Sequence, residues 1–319
     1  MNKIISILRR LLPSSLDKAV RPIYTSIRSK LRSMNRLIKK SHSIKNLKSD
    51  LSVGGIVGGD KIMVHSAMST VGKVAGPEQI IQSLLDTVGL EGTVMMPTYG
   101  SAEKIQQGMQ EGKIADLRTQ KSQLGKITEV FRTWPGVIRS SHPFSSVCAL
   151  GNQAEFIISR HAMDPHICHA ESPMGRIIDF DAKIVGIGVT IAVGMAVSHY
   201  LEDTGNDFPI DVYSPPFKVT YLDNDGVSVT REVLRYDPQT SATRIGSPNT
   251  DWICEKLTQH FTKLGIYQAF QYGNAESWVM HAQPVLAELR RLATKGITIY
   301  LSKEKWKSMN SGNESIDSW

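Results

Sequence analysis

Residues 61–96, KIMVHSAMSTVGKVAGPEQIIQSLLDTVGLEGTVMM, decide the fold. Lys61-Ile-Met-Val-His65 is a short apolar run of the kind that forms a strand buried on both faces. Pro77 to Val88 reads as a helix that starts with Pro in its first turn. Thr93-Val-Met-Met96 is a second apolar run. Strand, helix, strand with apolar strands implies an α/β fold with a mostly parallel sheet covered by helices on both faces.

Working outward, Lys183-Ile-Val-Gly-Ile187 repeats the strand signal, and Ala196 to Glu202 has helical character. Lys218–Leu222 and Val227–Thr230 flank Asp223-Asn-Asp-Gly226, whose residues accept the positive φ angles of a tight turn, so a hairpin is expected. Helices are expected over Asp251–Leu264 and Pro284–Thr294, then a strand over Ile297–Leu301 and a frayed tail from Asn310. The expected division is a basic helical N-terminal arm over 1–54, one α/β domain over 55–305 and a tail over 306–319.

The arm follows from charge. The chain of 319 residues has a net charge of +7, yet residues 1–50 hold 13 Lys and Arg against Asp17 and Asp50, which leaves −4 on the remainder. A reading of the chain as a nucleic-acid binder would rest on the arm alone, and nucleic acid is not an expected partner. Ile4, Ile5, Leu8, Leu11 and Leu12 alternate with Lys3, Arg9 and Arg10, and Pro13 and Pro22 divide the pattern into short helices. Such a segment can lie on an anionic membrane surface or pack as a solvated arm. The apolar run of a signal peptide is interrupted by Arg9 and Arg10. The longest apolar candidate for a membrane span is the 14 residues from Ile184 to Val197, short of the roughly 18 that a span needs. Three scattered cysteines, Cys148, Cys168 and Cys254, form neither a disulfide framework nor a CxxC metal site, so a reducing cytoplasm is expected, with peripheral contact at the inner face of the membrane through residues 1–50.

Several segments carry candidate chemistry. In Val64-His-Ser-Ala-Met-Ser-Thr-Val-Gly72 a strand ends in a small-residue loop, where Ser66, Ser69 and Thr70 suit an anionic diphosphate or simply cap a helix. No GKS or GKT follows, so this is not a Walker loop. Gly186-Ile-Gly188 lacks the third glycine of a dinucleotide fingerprint, since position 191 is Ile, and close backbone packing explains the pair better. His199 and Glu202 are three apart on a helix, so both face one way and the carboxylate can orient the imidazole as a general base or form a surface pair. His161, His166, Cys168 and His169 match no zinc spacing, and no metal is expected. No G-x-S-x-G elbow supports a Ser/His/Asp hydrolase.

Read in order, these segments resemble the aminoglycoside 3-N-acetyltransferase family. The resemblance runs through VHSAMSTVG (64–72), GTVMMPT (92–98), FRTWPGVIRSSHPFSS (131–146), SPMGR (172–176), HYLE (199–202) and GNAES (273–277), and spans roughly 55–300. It implies a three-layer α/β/α fold with a mixed, mostly parallel sheet, and transfer of an acetyl group from acetyl-CoA to an amine on a sugar, with His199 as the base and Glu202 holding its imidazole. Ser66, Ser69 and Thr70 would then contact the CoA phosphates or pantetheine arm, and Ser140, His142 and Ser146 would line the same channel. Tyr99 and Asp207 are the candidates for contact with the sugar. The chain departs from the family's pattern in its basic arm, in Ala67 where a second serine is usual, and in the region Asn206–Asp211. The arm favours an acceptor used in surface-polysaccharide assembly at a membrane; the alternatives are an aminoglycoside-inactivating enzyme and, in another class, a non-catalytic α/β module that its arm recruits to membrane or nucleic acid.

Overall fold

The computed structural model describes residues 46–309 apart from 73–74, 206–207 and 248–249. The expected amphipathic helices of residues 1–45, the frayed tail and Asp207 lie outside the described residues. The strands are β1 (Lys61–Ser66), β2 (Thr93–Pro97), β3 (Ala115–Asp116), β4 (Ile138–Arg139), β5 (Val147–Gly151), β6 (Lys183–Ile187), β7 (Tyr213–Leu222), β8 (Ser228–Tyr236), β9 (Gln268–Tyr272) and β10 (Ala275–His281). Seven form one sheet in the order β4-β5-β2-β1-β6-β10-β9. At its centre β1 pairs in parallel with β2 and β6, while β5 and β10 run against their neighbours and turn the edges antiparallel. Strands β4 and β9 thereby regain the direction of the centre, so most of the sheet points one way.

Alternation along the strands explains the three layers. Ile62, Val64, Val94, Val185 and Ile187 pack on one face with the helices Leu47–Val53, Pro77–Val88 and Lys126–Arg132. Met63, Met95, Ile184 and Met280 point to the other, against Pro173–Asp179, Ala196–Thr204, Asp251–Lys263 and Ala282–Thr294. The helix Pro77–Val88 starts where its proline predicts: the Gly76 N–H donates to Gln79 Oε1 at 2.8 Å, and Gly89 closes the helix at φ 65°. Its face of Ile80, Ile81, Leu84 and Val88 is buried, each side chain contributing about 1.5–3 kcal/mol.

The hairpin is longer than its sequence signal, β7 and β8 running from Tyr213 to Tyr236 with an irregularity at Pro215 and Pro216. With β3 it makes a separate three-stranded sheet over Leu117, Phe144, Val219, Tyr221 and Val233. Asn224 at its tip donates to the Arg139 carbonyl at 2.6 Å and docks the hairpin beside β4.

Two expectations are corrected. Ile297–Leu301 is not a strand but an irregular, wholly buried stretch; its apolar composition reflects burial, not pairing. The composition boundary at residue 54 falls after packed structure has begun, because Leu47 and Leu51 are buried and Asp50 accepts the Gly273 N–H at 2.9 Å. At the other end Trp306 is buried as well, so packing continues beyond residue 305. No helix among the described residues is long and apolar enough to cross a membrane.

Candidate active site

The chain leaves β6 through Gly188 and enters the short helix Ile191–Gly194 and then Ala196–Thr204, at the carboxyl ends of the parallel strands, where open α/β sheets place their ligands. Glycine is required on this path. Gly186 lies opposite Trp278 in β10, and a Cβ there would collide with the indole; at Gly188 φ is 66° and a Cβ would collide with Thr70. The Trp278 indole N–H donates to the Val189 carbonyl at 2.7 Å and fixes the turn.

Helical spacing brings His199 and Glu202 onto one face, with Nδ1 2.6 Å from Glu202 Oε2. Glu202 is no surface partner, since its side chain is 0% exposed and that of His199 18% exposed. Its second oxygen accepts the Tyr300 hydroxyl at 3.1 Å, and the imidazole lies 4.8 Å from the Tyr236 ring, which stacks on Tyr213. Arg244 Nη1 is 2.9 Å from His199 Nε2. A guanidinium only donates, so Nε2 carries the lone pair and Nδ1–H donates to Glu202. That is the neutral tautomer in which Nε2 can act as a base.

The neighbouring Asp203 turns away and accepts the Cys168 N–H at 2.6 Å and the Tyr213 hydroxyl. Burial pushes its carboxyl up to about 8, the Cys168 N–H opposes this, and the Glu202 charge adds to it. Of two adjacent carboxyls, one is thus kept neutral near pH 7. Tyr99 lies within the field of Arg244: burial raises its phenol, and the charge of Arg244 pulls it back down.

The residues expected to hold the coenzyme divide into two groups. At the end of β1, Ser66 Oγ and His65 Nε2 are buried with no hydrogen-bond partner among the described residues, Ser69 is exposed, and the Thr70 hydroxyl donates to the Ala67 carbonyl at 2.6 Å. Burial lowers His65 to about 4, so it is neutral. Ser140, His142 and Ser146 are buried and do not line an open channel; the two serines are hydrogen-bonded within the fold, while His142 Nε2 has no hydrogen-bond partner among the described residues. The Ser140 hydroxyl accepts the Val147 N–H at 2.8 Å and pairs with His161 Nδ1 at 2.8 Å. Ser146 accepts Arg139 Nε at 2.9 Å. His142 Nδ1 accepts the N–H of Ser145 at 3.1 Å, its ring stacks on His161 at 4.8 Å, and burial lowers it to about 3. Arg139, a buried guanidinium with no carboxylate ion pair among the described residues, also donates to the carbonyls of Thr98, Leu117 and Gln120. Ser146 thus serves Arg139 and Ser140 serves His161, and no hydrogen bond or ring contact joins this segment to His199 among the described residues.

A cavity of about 530 Å³ opens beside β4, lined by Arg118, Arg132, Arg139, Glu155, Ser159 and Asn224 among others, apart from the imidazole. No group of three His, Cys, Asp or Glu among the described residues is arranged to hold a metal ion. Sequence reasoning missed Tyr236 and Arg244, which reach His199, and Tyr300, which reaches Glu202, all from distant parts of the chain; Asp203 carried a signal only as the neighbour of Glu202.

Comparison with known proteins bears on this arrangement. A family model described as aminoglycoside 3-N-acetyltransferase matches residues 63–294. Aminoglycoside N(3)-acetyltransferase IX of Micromonospora chalcea is 30% identical over 258 residues, 75% of this chain and 89% of that protein. Aminoglycoside N(3)-acetyltransferase VII of Streptomyces paromomycinus is 29% identical over 260 residues, 75% and 87% of the two chains. Among solved structures, one described as AAC-IIIb in binary complex with CoASH superposes with a TM-score of 0.69 at 24% identity, covering 81% of this chain and 98% of that one. AAC-VIa bound to sisomicin gives 0.64 at 22%, covering 78% and 96%. At these identities the two structures establish a shared fold.

Proposed function

The chain belongs to the aminoglycoside 3-N-acetyltransferase family, and from that membership we propose that it transfers an acetyl group from acetyl-CoA to an amino group of an aminoglycoside. The observation that carries the reading is the buried Glu202 carboxylate 2.6 Å behind the His199 imidazole. A sugar ammonium is no nucleophile until it loses a proton. His199 Nε2 accepts that proton, and Glu202 stabilises the imidazolium that forms. Tyr300 holds Glu202 in place from the far side, so little reorganisation accompanies the transfer.

When bound, acetyl-CoA supplies a thioester carbonyl open to attack by an amine. The unpartnered His65 Nε2 and Ser66 Oγ at the end of β1 fit such a co-substrate, since both are buried polar atoms able to hydrogen bond, and the CoASH of the AAC-IIIb neighbour supports the choice. Ser69 and Thr70 follow on the same loop and would contact the coenzyme beside them. Tyr99, beside Arg244, would face the sugar, and Asp207 belongs to the same proposed acceptor region.

The names of the relatives favour an aminoglycoside over a surface-glycan amino sugar, whose motivation was the arm. A buried acid behind an imidazole also speaks against an idle module. Thiol release from acetyl-CoA with gentamicin-type drugs and with UDP- or dTDP-linked amino sugars tests the acceptor: turnover of the drugs is expected, and turnover of nucleotide sugars alone would overturn it. Peripheral membrane contact in the cytoplasm rests on the 13 basic residues of 1–50, and flotation of the full chain with anionic liposomes, lost on deleting that segment, is its test.

A further inference from the structure

Arg244 occupies the atom that the reaction needs. It opens the turn after the helix Pro238–Thr243, where the Ile245 N–H donates to the Ile299 carbonyl at 2.8 Å, and its half-buried side chain reaches His199 Nε2 at 2.9 Å. No described carboxylate forms an ion pair with it, and its charge acts on the phenols of both Tyr99 and Tyr300. An imidazole nitrogen has one lone pair, which accepts from one donor at a time. The acceptor's ammonium must present its N–H to that same lone pair.

We propose that Arg244 is a specificity-determining residue, a built-in cation that holds the place of the acceptor's ammonium on His199 and must be displaced before an amine can bind there. The inference rests on His199 being the base. Two costs fall on the acceptor: the guanidinium's hydrogen bond is broken, and the released charge stays close to the incoming cation. Both are felt on binding, so both raise KM. They weigh most on polycationic acceptors and least on an amine that brings its own anionic group. The long arginine side chain can swing aside while the Ile245–Ile299 hydrogen bond keeps its backbone in place.

The test compares wild type, Arg244→Ala and Arg244→Lys as full-length chains. Diethyl pyrocarbonate reacts at an unprotonated imidazole nitrogen, so the rate of His199 modification, read by peptide mass spectrometry, reports whether Nε2 is covered without any acceptor. Modification about tenfold faster in Arg244→Ala is expected, the size of one charged hydrogen bond. Arg244→Lys, which keeps a cationic donor, should stay nearer to wild type. With a polycationic aminoglycoside, KM should fall about as much in Arg244→Ala, the effect lying in KM and not in kcat. Unchanged His199 modification, or a loss of kcat at unchanged KM, overturns the proposal. Should no aminoglycoside be turned over by any variant, the acceptor reading fails while the modification rates still decide the role of Arg244. Equal melting temperatures of the variants keep a folding defect from imitating either result.

Discussion

Replacing Glu202 with Gln removes one charge while leaving the shape of the site in place. The amide carbonyl can still accept from His199 Nδ1–H, and the amide NH2 can donate to the Tyr300 hydroxyl, which also accepts. What disappears is the attraction between a buried carboxylate and the imidazolium that forms as the acceptor loses its proton. The 2.6 Å contact puts the two charges about 4 Å apart from centre to centre, worth ~4 kcal/mol at an effective dielectric constant of about 20. Only part of the proton charge has arrived in the transition state, so ~3–4 kcal/mol of barrier is at stake and kcat should fall by about 10²–10³. The assay is steady-state thiol release from acetyl-CoA at saturating acceptor, beside circular dichroism and a melting curve to show an intact fold. A folded Glu202→Gln protein with kcat within about threefold of wild type would refute the charge argument, because such a loss is under ~1 kcal/mol.

Other outcomes follow from burial. His65, His142 and His161 are held below their ordinary range, to about 4, to about 3 and well below it, by burial first. The unfolded chain takes up their protons near pH 6.5, so the stability they leave intact above that pH is lost as pH falls towards the folded values; His65 alone accounts for ~3 kcal/mol. Urea unfolding at pH 7, 5.5 and 4.5 should show a steep decline, and a flat profile would contradict it. Asp203 acts with the opposite sign: its folded value of about 8 lies above the ordinary 3.8, so its contribution is full below about pH 4 and is lost as pH rises through 8. Asp203→Asn should flatten the fall in stability between pH 4 and 8, and an unaltered slope would count against a buried neutral acid. Gly186→Ala would push a methyl into the Trp278 indole, at a cost of about 1–3 kcal/mol for overpacking. Its melting temperature should drop by several degrees, and no change would mean that the indole is free to move.

The central layer was legible because its elements are punctuated. Pro77 and Gly89 bracket a helix between two apolar runs too short to be anything but strands, and β6 falls on its five-residue signal from Lys183 to Ile187. The antiparallel edges were not legible, since an apolar run says that a strand is buried but not which way its neighbour runs. Ile297–Leu301 misled for a related reason: buried irregular chain has the composition of a strand, and only its partners reveal the difference. At the site, His199 and Glu202 were legible from spacing within one helix. Tyr300 and Arg244 were not, because they stand 98 and 45 residues from their partners and no local pattern marks them. The hydroxyls of Ser140 and Ser146 misled because the groups they serve, His161 and Arg139, meet them only in the folded chain.

The most direct measurement is acetyl transfer by His199→Ala, with acetyl-CoA binding followed by calorimetry on the same protein. If the imidazole is the base, kcat falls by about 10²–10⁴ while the coenzyme still binds with little change in affinity. Transfer at the wild-type rate by a folded His199→Ala protein would contradict that assignment, and with it the proposed mechanism.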